Sequence, residues 1–504
     1  MTSIYDQIRA AVQPDGTLPK DFSIQKKPDD PQAIRFAEGA QDGIVFYHSG
    51  SGGDRELLEK LEEITGLASG GADYEAAEAE LSACFGEREA VLGCIDGLQT
   101  WIIDHREELD AGRLFGFANA VLLHSASLGA VKYALSVLEL LAAAQGPWRE
   151  TVRTLALADE LTLYCVFVAC RWENKDEELF AMAKQVRGWG RVHAVRELEP
   201  VSQEIKTWLL DEGWDNDVLP AYTALACAQR GGLRERLEQE PLSRAQLDAA
   251  GGLIQALLDE GPVSNISRME DAEELLLAYM AQVERAELTL GDLNVVRGIL
   301  SAAAEDELDL SQVRTRAEVL FASQASRRSV EQALERGEGF SLAAALGLAW
   351  QEKLLEALER DFAGTYSQLY LILAPEQELW VDRALAVCEK NLPRELATGP
   401  KDWTFAPPEE PRYNWLDYTV QFLKPFPGRG LELALTALEA PVIRNRNMAL
   451  NALESWREAG WSFPEAVVQA LERLNVSEVH DKLRERESAL LDELKKGAGG
   501  YDRA

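Results

Sequence analysis

Residues 188–229 read GWGRVHAVRELEPVSQEIKTWLLDEGWDNDVLPAYTALACAQ, and the spacing of their apolar side chains decides the fold. Trp189, Val192 and Val195 recur every third residue. Ile205, Trp208 and Leu209, and then Ala221, Ala224, Leu225 and Ala228, follow the three-and-four spacing of one helix face. Pro200, Gly213 and Pro220 fall between these runs, where they stop one helix and start the next. The stretch therefore predicts three short helices, at Arg191 to Leu198, Ser202 to Glu212 and Val218 to Gln229, joined by tight turns.

The same period continues outward in both directions, and alternating strand-like runs are nearly absent. GIVFY, Gly43 to Tyr47, is the one strand-like exception. The fold class is all-α. More than twenty short helices with short connections do not suit a four-helix bundle, but they suit an α-solenoid of stacked antiparallel helix pairs. Self-similarity supports this on two segments. Arg191 to Leu198 (RVHAVREL) and Arg446 to Leu453 (RNMALNAL) share R-x-x-A-[VL]-x-x-L, and each is followed by a turn and a second amphipathic helix. Arg153 to Leu157 starts the same way, but its next Leu falls one position late. The pattern resembles the HEAT or armadillo type of helical repeat, in which a small Ala lets helices approach closely. Four segments are expected: an irregular N-terminal cover at 1–53, a main helical-repeat array at 54–390, a Pro-rich linker at 391–415, and C-terminal repeats with a cap at 416–504. Trp403, Phe405, Tyr413 and Trp415 predict that the linker packs down on helices.

The chain has 504 residues, 46% hydrophobic and 27% charged, which is enough to bury sizeable cores. Its formal net charge of −34 repels phosphate backbones and anionic lipid headgroups, so generic nucleic-acid or membrane-surface binding is disfavoured. Cys84, Cys94, Cys165, Cys170, Cys227 and Cys388 include no CxxC pair. Several lie in apolar helical runs, a usage that fits a reducing, cytoplasmic setting. The N-terminus lacks the basic and apolar regions of a signal peptide, and no apolar run reaches the roughly 20 residues that a membrane span needs.

The most distinctive chemistry lies in the opening stretch. Trp189, Arg191, His193, Trp208, Trp214, Asp215, Asp217 and Tyr222 are the candidate binding residues. On one reading, indole faces beside Arg and carboxylates line a concave wall that stacks and hydrogen-bonds a peptide or small ligand. On the other, the Trp side chains fill core between repeats and the charges cap helices. His193 occupies the repeat position that Met448 holds in the second unit, which favours a packed histidine over a catalyst. His48, His105, His124 and His480 are scattered and form no metal motif.

The run from His48 to Asp54, HSGSGGD, lacks the Lys-Ser/Thr end of a phosphate loop, and Ser51 or Asp54 as a helix N-cap accounts for it. Asp211, Glu212, Asp215 and Asp217 lack the spacing of a calcium loop and read as a solvated junction. Arg444, Arg446 and Arg457 form a secondary basic patch, either a docking site for an acidic partner or an internal ion-pair network.

GWGRVHAVREL, EIKTWLLDEGW and DGTLPKDFSI together resemble a group of bacterial cytoplasmic proteins, some of which carry the label limonene hydroxylase. That resemblance implies an oxygenase, which needs haem, flavin or non-haem iron to activate dioxygen. No ligand pattern or fingerprint for any of them is visible, so no catalytic residue, metal ligand or cofactor is assigned. A helical-repeat DNA glycosylase would need a basic groove, for which Arg191, Arg196, Arg444 and Arg446 are the available residues, against the net charge. The reading the sequence carries furthest is a non-enzymatic scaffold that binds a protein or peptide of basic character on a repeat face.

Overall fold

The computed structural model describes residues 2–24, 32–34, 36–49, 53–85, 91–141, 145–239, 241–259, 261, 263–304 and 310–498. Among the described residues the secondary structure is α-helix with short 3-10 turns and two π-helical turns, Val45–Ser49 and Leu209–Gly213. No strand occurs among them, only an isolated parallel bridge between Trp403 and Val442. No helix among them is long and apolar enough to cross a membrane.

The three helices expected from the opening stretch form as Trp189–Glu197, Gln203–Trp208 running into the π turn, and Ala221–Gly231. Ser202 caps the second by accepting the Ile205 N–H at 3.3 Å. Gly232, with φ 74°, ends the third in the left-handed conformation that glycine adopts without strain.

Two compact units divide the chain. Ile34–Glu287 and Asn294–Val319 form most of the first, and Leu320 onward forms most of the second. The Pro-rich stretch at 391–415 is thus not where the compact units part. It lies inside the second unit, held by Gly399 N–H to the Glu439 carbonyl at 2.9 Å and Ile443 N–H to the Trp403 carbonyl at 2.9 Å. Proline there ends helices without detaching the backbone from its neighbours.

In the first unit alternate helices touch in sequence order. Arg55–Gly70 meets Ile95–Asp104, which meets Leu128–Leu141, followed by Asp159–Ala169, Trp189–Glu197, Ala221–Gly231 and Arg244–Leu257. Ala111–His124 and Lys175–Gln185 pack on this row against Leu128–Leu141 and Trp189–Glu197. The row is interior: every residue from Leu128 to Leu138 and from Trp189 to Val195 is buried. Each fully buried Val or Leu, such as Val192 or Leu161, contributes about 1.5–3 kcal/mol. In the second unit Ile443–Glu458 packs against Arg412–Val420, Leu431–Leu438 and Asp481–Ala498. Its Trp456 has no exposed surface and donates its indole N–H to the Leu423 carbonyl at 2.8 Å.

The N-terminal cover is more ordered than its sequence suggests. Ile4–Ala11 packs on Ala111–His124 and Trp148–Leu155, and Ala40–Ile44 packs on Asp159–Ala169. GIVFY is not a strand. It is the end of the Ala40–Ile44 helix and the start of the π turn. Glycine explains the change: a Cβ added at Gly43 would lie 2.3 Å from Trp189 Cε3, so only a bare backbone seats against that indole. Of the phosphate-loop-like run, Gly50, Ser51 and Gly52 lie outside the described residues. Asp54 does cap the Arg55–Gly70 helix, accepting the Leu57 N–H at 3.1 Å.

Candidate functional site

The Trp189–Glu197 helix is positioned by the GWG turn that precedes it. Gly190 donates its N–H to Asp159 Oδ1 at 2.6 Å, and a Cβ at Gly190 would lie 2.5 Å from Thr162 Oγ1. The carboxylate of one row helix therefore caps the N-terminus of the next, at a place where any larger residue would push them apart. Burial pushes the Asp159 carboxyl up to about 7, against the opposing pull of the Gly190 N–H.

Four of the eight candidate residues are interior. Trp189, Arg191, His193 and Trp208 are all under 9% exposed: the first three fill core, and Trp208 keeps only one edge at the surface. Arg191 donates through Nε to the Ala183 and Val186 carbonyls at 3.0 and 2.9 Å, and through Nη1 to the Asp215 carbonyl at 2.8 Å. Its guanidinium also lies 5.6 Å from the Trp208 ring. It locks the connection before its helix to the turn that follows the next one. His193 Nδ1 sits 2.9 Å from the Tyr47 hydroxyl, while Nε2 is buried without a partner. Burial, with Arg196 nearby, lowers the imidazole to about 3 and keeps it neutral.

The other four are partly or fully open. Trp214 donates its indole N–H to the Leu210 carbonyl at 3.2 Å, and its ring occupies the space over Gly252. Asp215 and Asp217 do not converge on a cation. Both pair with Arg187, at 2.8 and 3.4 Å, which closes the turn as the solvated junction expected. Tyr222 places its hydroxyl 2.6 Å from His48 Nε2.

The structure adds residues that the spacing did not reveal. Tyr47 stacks on Trp189 (5.9 Å between centroids, 15° between planes) and on His193 (5.5 Å, 16°), with the Arg196 guanidinium 4.4 Å from its ring. Asp42, on the helix before it, is buried against Lys132 Nζ at 2.7 Å and accepts from the Tyr164 hydroxyl at 3.1 Å. Lys132 had a visible signal: one charge inside the apolar run LGAVKYALSVL must find a partner when that helix is buried.

A second feature is an open groove of about 510 Å³, lined by Phe180, Lys184, Glu204, Trp208, Asp211 and Glu212. Phe180 and Trp208 meet edge to face at 5.3 Å, and Lys184 Nζ lies 4.5 Å from the Phe180 ring. Asp211 is held by Arg236 at 2.7 Å, whereas Glu204 and Glu212 are exposed. The groove therefore combines an aromatic floor with two exposed carboxylates, Glu204 and Glu212, and one ammonium, Lys184. The π turn supplies Asp211 and Glu212, whose carboxylates an uninterrupted α-helix would carry to a different angle.

The proposed basic patch resolves into ion pairs. Arg444 meets Asp417 at 3.0 Å, where burial raises the carboxyl to about 6 although the arginine opposes it. Arg457 pairs with Glu493. Arg446 has no exposed surface. It binds Glu478 at 2.7 and 3.0 Å and donates to the Ala440, Pro441 and Lys401 carbonyls. Arg191 and Arg446, two of the four arginines available for a DNA groove, are thus core residues.

Among the described residues no three His, Cys, Asp or Glu side chains are grouped to hold a metal ion. Comparison with protein-family models, with curated proteins and with solved structures returns no match to this chain.

Proposed function

We propose that the protein is a non-enzymatic helical-repeat scaffold, an α-solenoid of the HEAT-like kind, which binds a basic segment of a partner protein in the groove between Lys175–Gln185 and Gln203–Gly213. The observation that carries this reading is the groove's composition: Phe180 and Trp208 as floor, with the exposed carboxylates of Glu204 and Glu212 on the rim outnumbering the single ammonium of Lys184. Aromatic faces beside carboxylates suit an Arg or Lys side chain, whose apolar stem lies on the rings while its charge meets the acids. The repeat reading is supported by the ordered contacts of alternate helices and by the shared placement of Arg191 and Arg446 as buried connection locks. The free cysteines fit a reducing, cytoplasmic setting.

Titration of an Arg- and Lys-rich peptide into the full chain by calorimetry tests this. Binding is expected to weaken as salt rises, because the rim charges are exposed and screened. Glu204→Gln/Glu212→Gln is expected to reduce affinity at least about tenfold, which corresponds to about 1.4 kcal/mol. Equal affinity for an acidic peptide of the same length, or no loss in the double variant, contradicts the proposal.

A further inference from the structure

The segment Ala40–Ser49 crosses the row of alternate helices. Asp42 reaches Lys132 on Leu128–Leu141 and Tyr164 on Asp159–Ala169. Tyr47 then stacks on Trp189 and His193 of Trp189–Glu197, and both Tyr47 and His48 meet Tyr222 of Ala221–Gly231. Ten residues, one α-helical turn running into one π-helical turn, thus touch four successive members of the row in order, the path a bound peptide would take across a stacked array.

The contact is built into the row but shallow on the side of the segment. Of the segment, only Ala40, Asp42 and Gly43 are buried, and two of those present almost no side chain. Ile44 and Phe46 are 38% and 44% exposed, although the Phe46 ring also lies 5.9 Å from that of Phe167 and 6.3 Å from that of His193. On the row side the receiving groups are interior: Lys132, Tyr164, Trp189 and His193 are all under 5% exposed. Lys132 and Tyr164 form a socket for an anion. Trp189 and His193, with Arg196 over the outer face of Tyr47, form a slot for an aromatic ring.

From this geometry we infer that residues 40–49 are an intramolecular ligand on a recognition face of the row, displaced by a partner segment that carries a carboxylate and a tyrosine spaced as Asp42 and Tyr47 are. The inference rests on the scaffold reading, but it concerns a different face and the opposite ligand charge from the acid-rimmed groove. Such an arrangement makes the chain its own competitor: affinity for a partner is reduced by the fraction of molecules in which the segment is seated.

The test uses the full chain and the synthetic peptide GAQDGIVFYHS, labelled for fluorescence anisotropy. Wild type is expected to bind it poorly. Asp42→Ala/Tyr47→Ala, which weakens the seated segment and changes no residue of the row, is expected to bind at least about tenfold more tightly. Adding Lys132→Met to that variant removes the anion socket and is expected to abolish the gain. If the double variant melts non-cooperatively, Tyr47→Ala alone replaces it, with a smaller gain in affinity expected. A folded variant that binds no better than wild type overturns the inference, as does a gain that survives Lys132→Met. Glu204→Gln/Glu212→Gln is expected to leave this binding unchanged. Loss of peptide binding there would tie it to the groove and contradict a separate face, so the two proposals fail by different results.

Discussion

The helices Trp189–Glu197 and Ile443–Glu458 carry the same R-x-x-A-[VL]-x-x-L pattern, one in each compact unit, yet they neutralise their arginine in different ways. Both side chains turn back to the carbonyls of the preceding connection: Ala183 and Val186 for Arg191, Ala440 and Pro441 for Arg446. Arg446 also has a buried carboxylate, Glu478, with Glu487 beside it. Among the described residues Arg191 bonds to backbone carbonyls and lies by the Trp208 ring, and burial lowers its pKa. A pattern in sequence can thus fix a backbone lock while leaving the electrostatics to residues far along the chain.

The largest expected effect follows from that difference. Glu478→Ala takes from Arg446 the carboxylate it is hydrogen-bonded to and leaves it the carbonyls, with Glu487 nearby, and removing one partner of a buried pair costs about 3–5 kcal/mol. Arg191→Ala removes the charge together with its bonds and orphans carbonyls instead, at about 1–3 kcal/mol. Urea unfolding followed for each unit separately checks the order, and a reversed ranking breaks the comparison.

Proton linkage sharpens it. Burial, with Glu478 adding to it, pushes Glu487 up to about 8, so the folded chain holds a proton that the unfolded chain releases above the ordinary glutamate value. That stabilisation is present in full below about pH 4.5 and is lost progressively as pH rises through about 8. The second unit is expected to weaken across this window in urea titrations. Glu487→Gln, which keeps the neutral form, is expected to flatten the slope, and an unchanged slope would show that the carboxyl is not the linked group.

A smaller change is expected at the third position of the pattern. His193→Met copies Met448 and removes a buried, unpartnered Nε2, but it also strips the Tyr47 hydroxyl of its hydrogen-bond partner. These terms oppose one another, so the thermal midpoint should shift by less than about 1 kcal/mol equivalent. A loss of several kcal/mol would mean that the imidazole holds the segment more firmly than one hydrogen bond does.

Helices, caps and the interior place of His193 were legible because each depends on nearby residues. The period of Trp189, Val192 and Val195 is local, and Ser202 caps a helix that starts beside it. The slot of His193 could be matched to that of Met448 within one pattern. The segment 40–49 was not legible, because β-branched and aromatic side chains in GIVFY imitate a strand. What decides their conformation is the indole of Trp189, far along the chain, against Gly43. The partners of Arg444, Arg446 and Arg457 were hidden for the same reason: Asp417 and Glu493 lie on other helices, and Glu478 at the end of a third. A cluster of arginines in sequence is a cluster in space only if their partners do not divide them.

Hydrogen exchange resolved by peptide on the full chain tests most directly the claim that a fixed row carries a displaceable segment. Amides of Trp189–Glu197 are expected to exchange only with global opening of their unit, and those of residues 40–49 far faster, through local release. Equal protection of the two would make the segment a permanent part of the core and contradict the account.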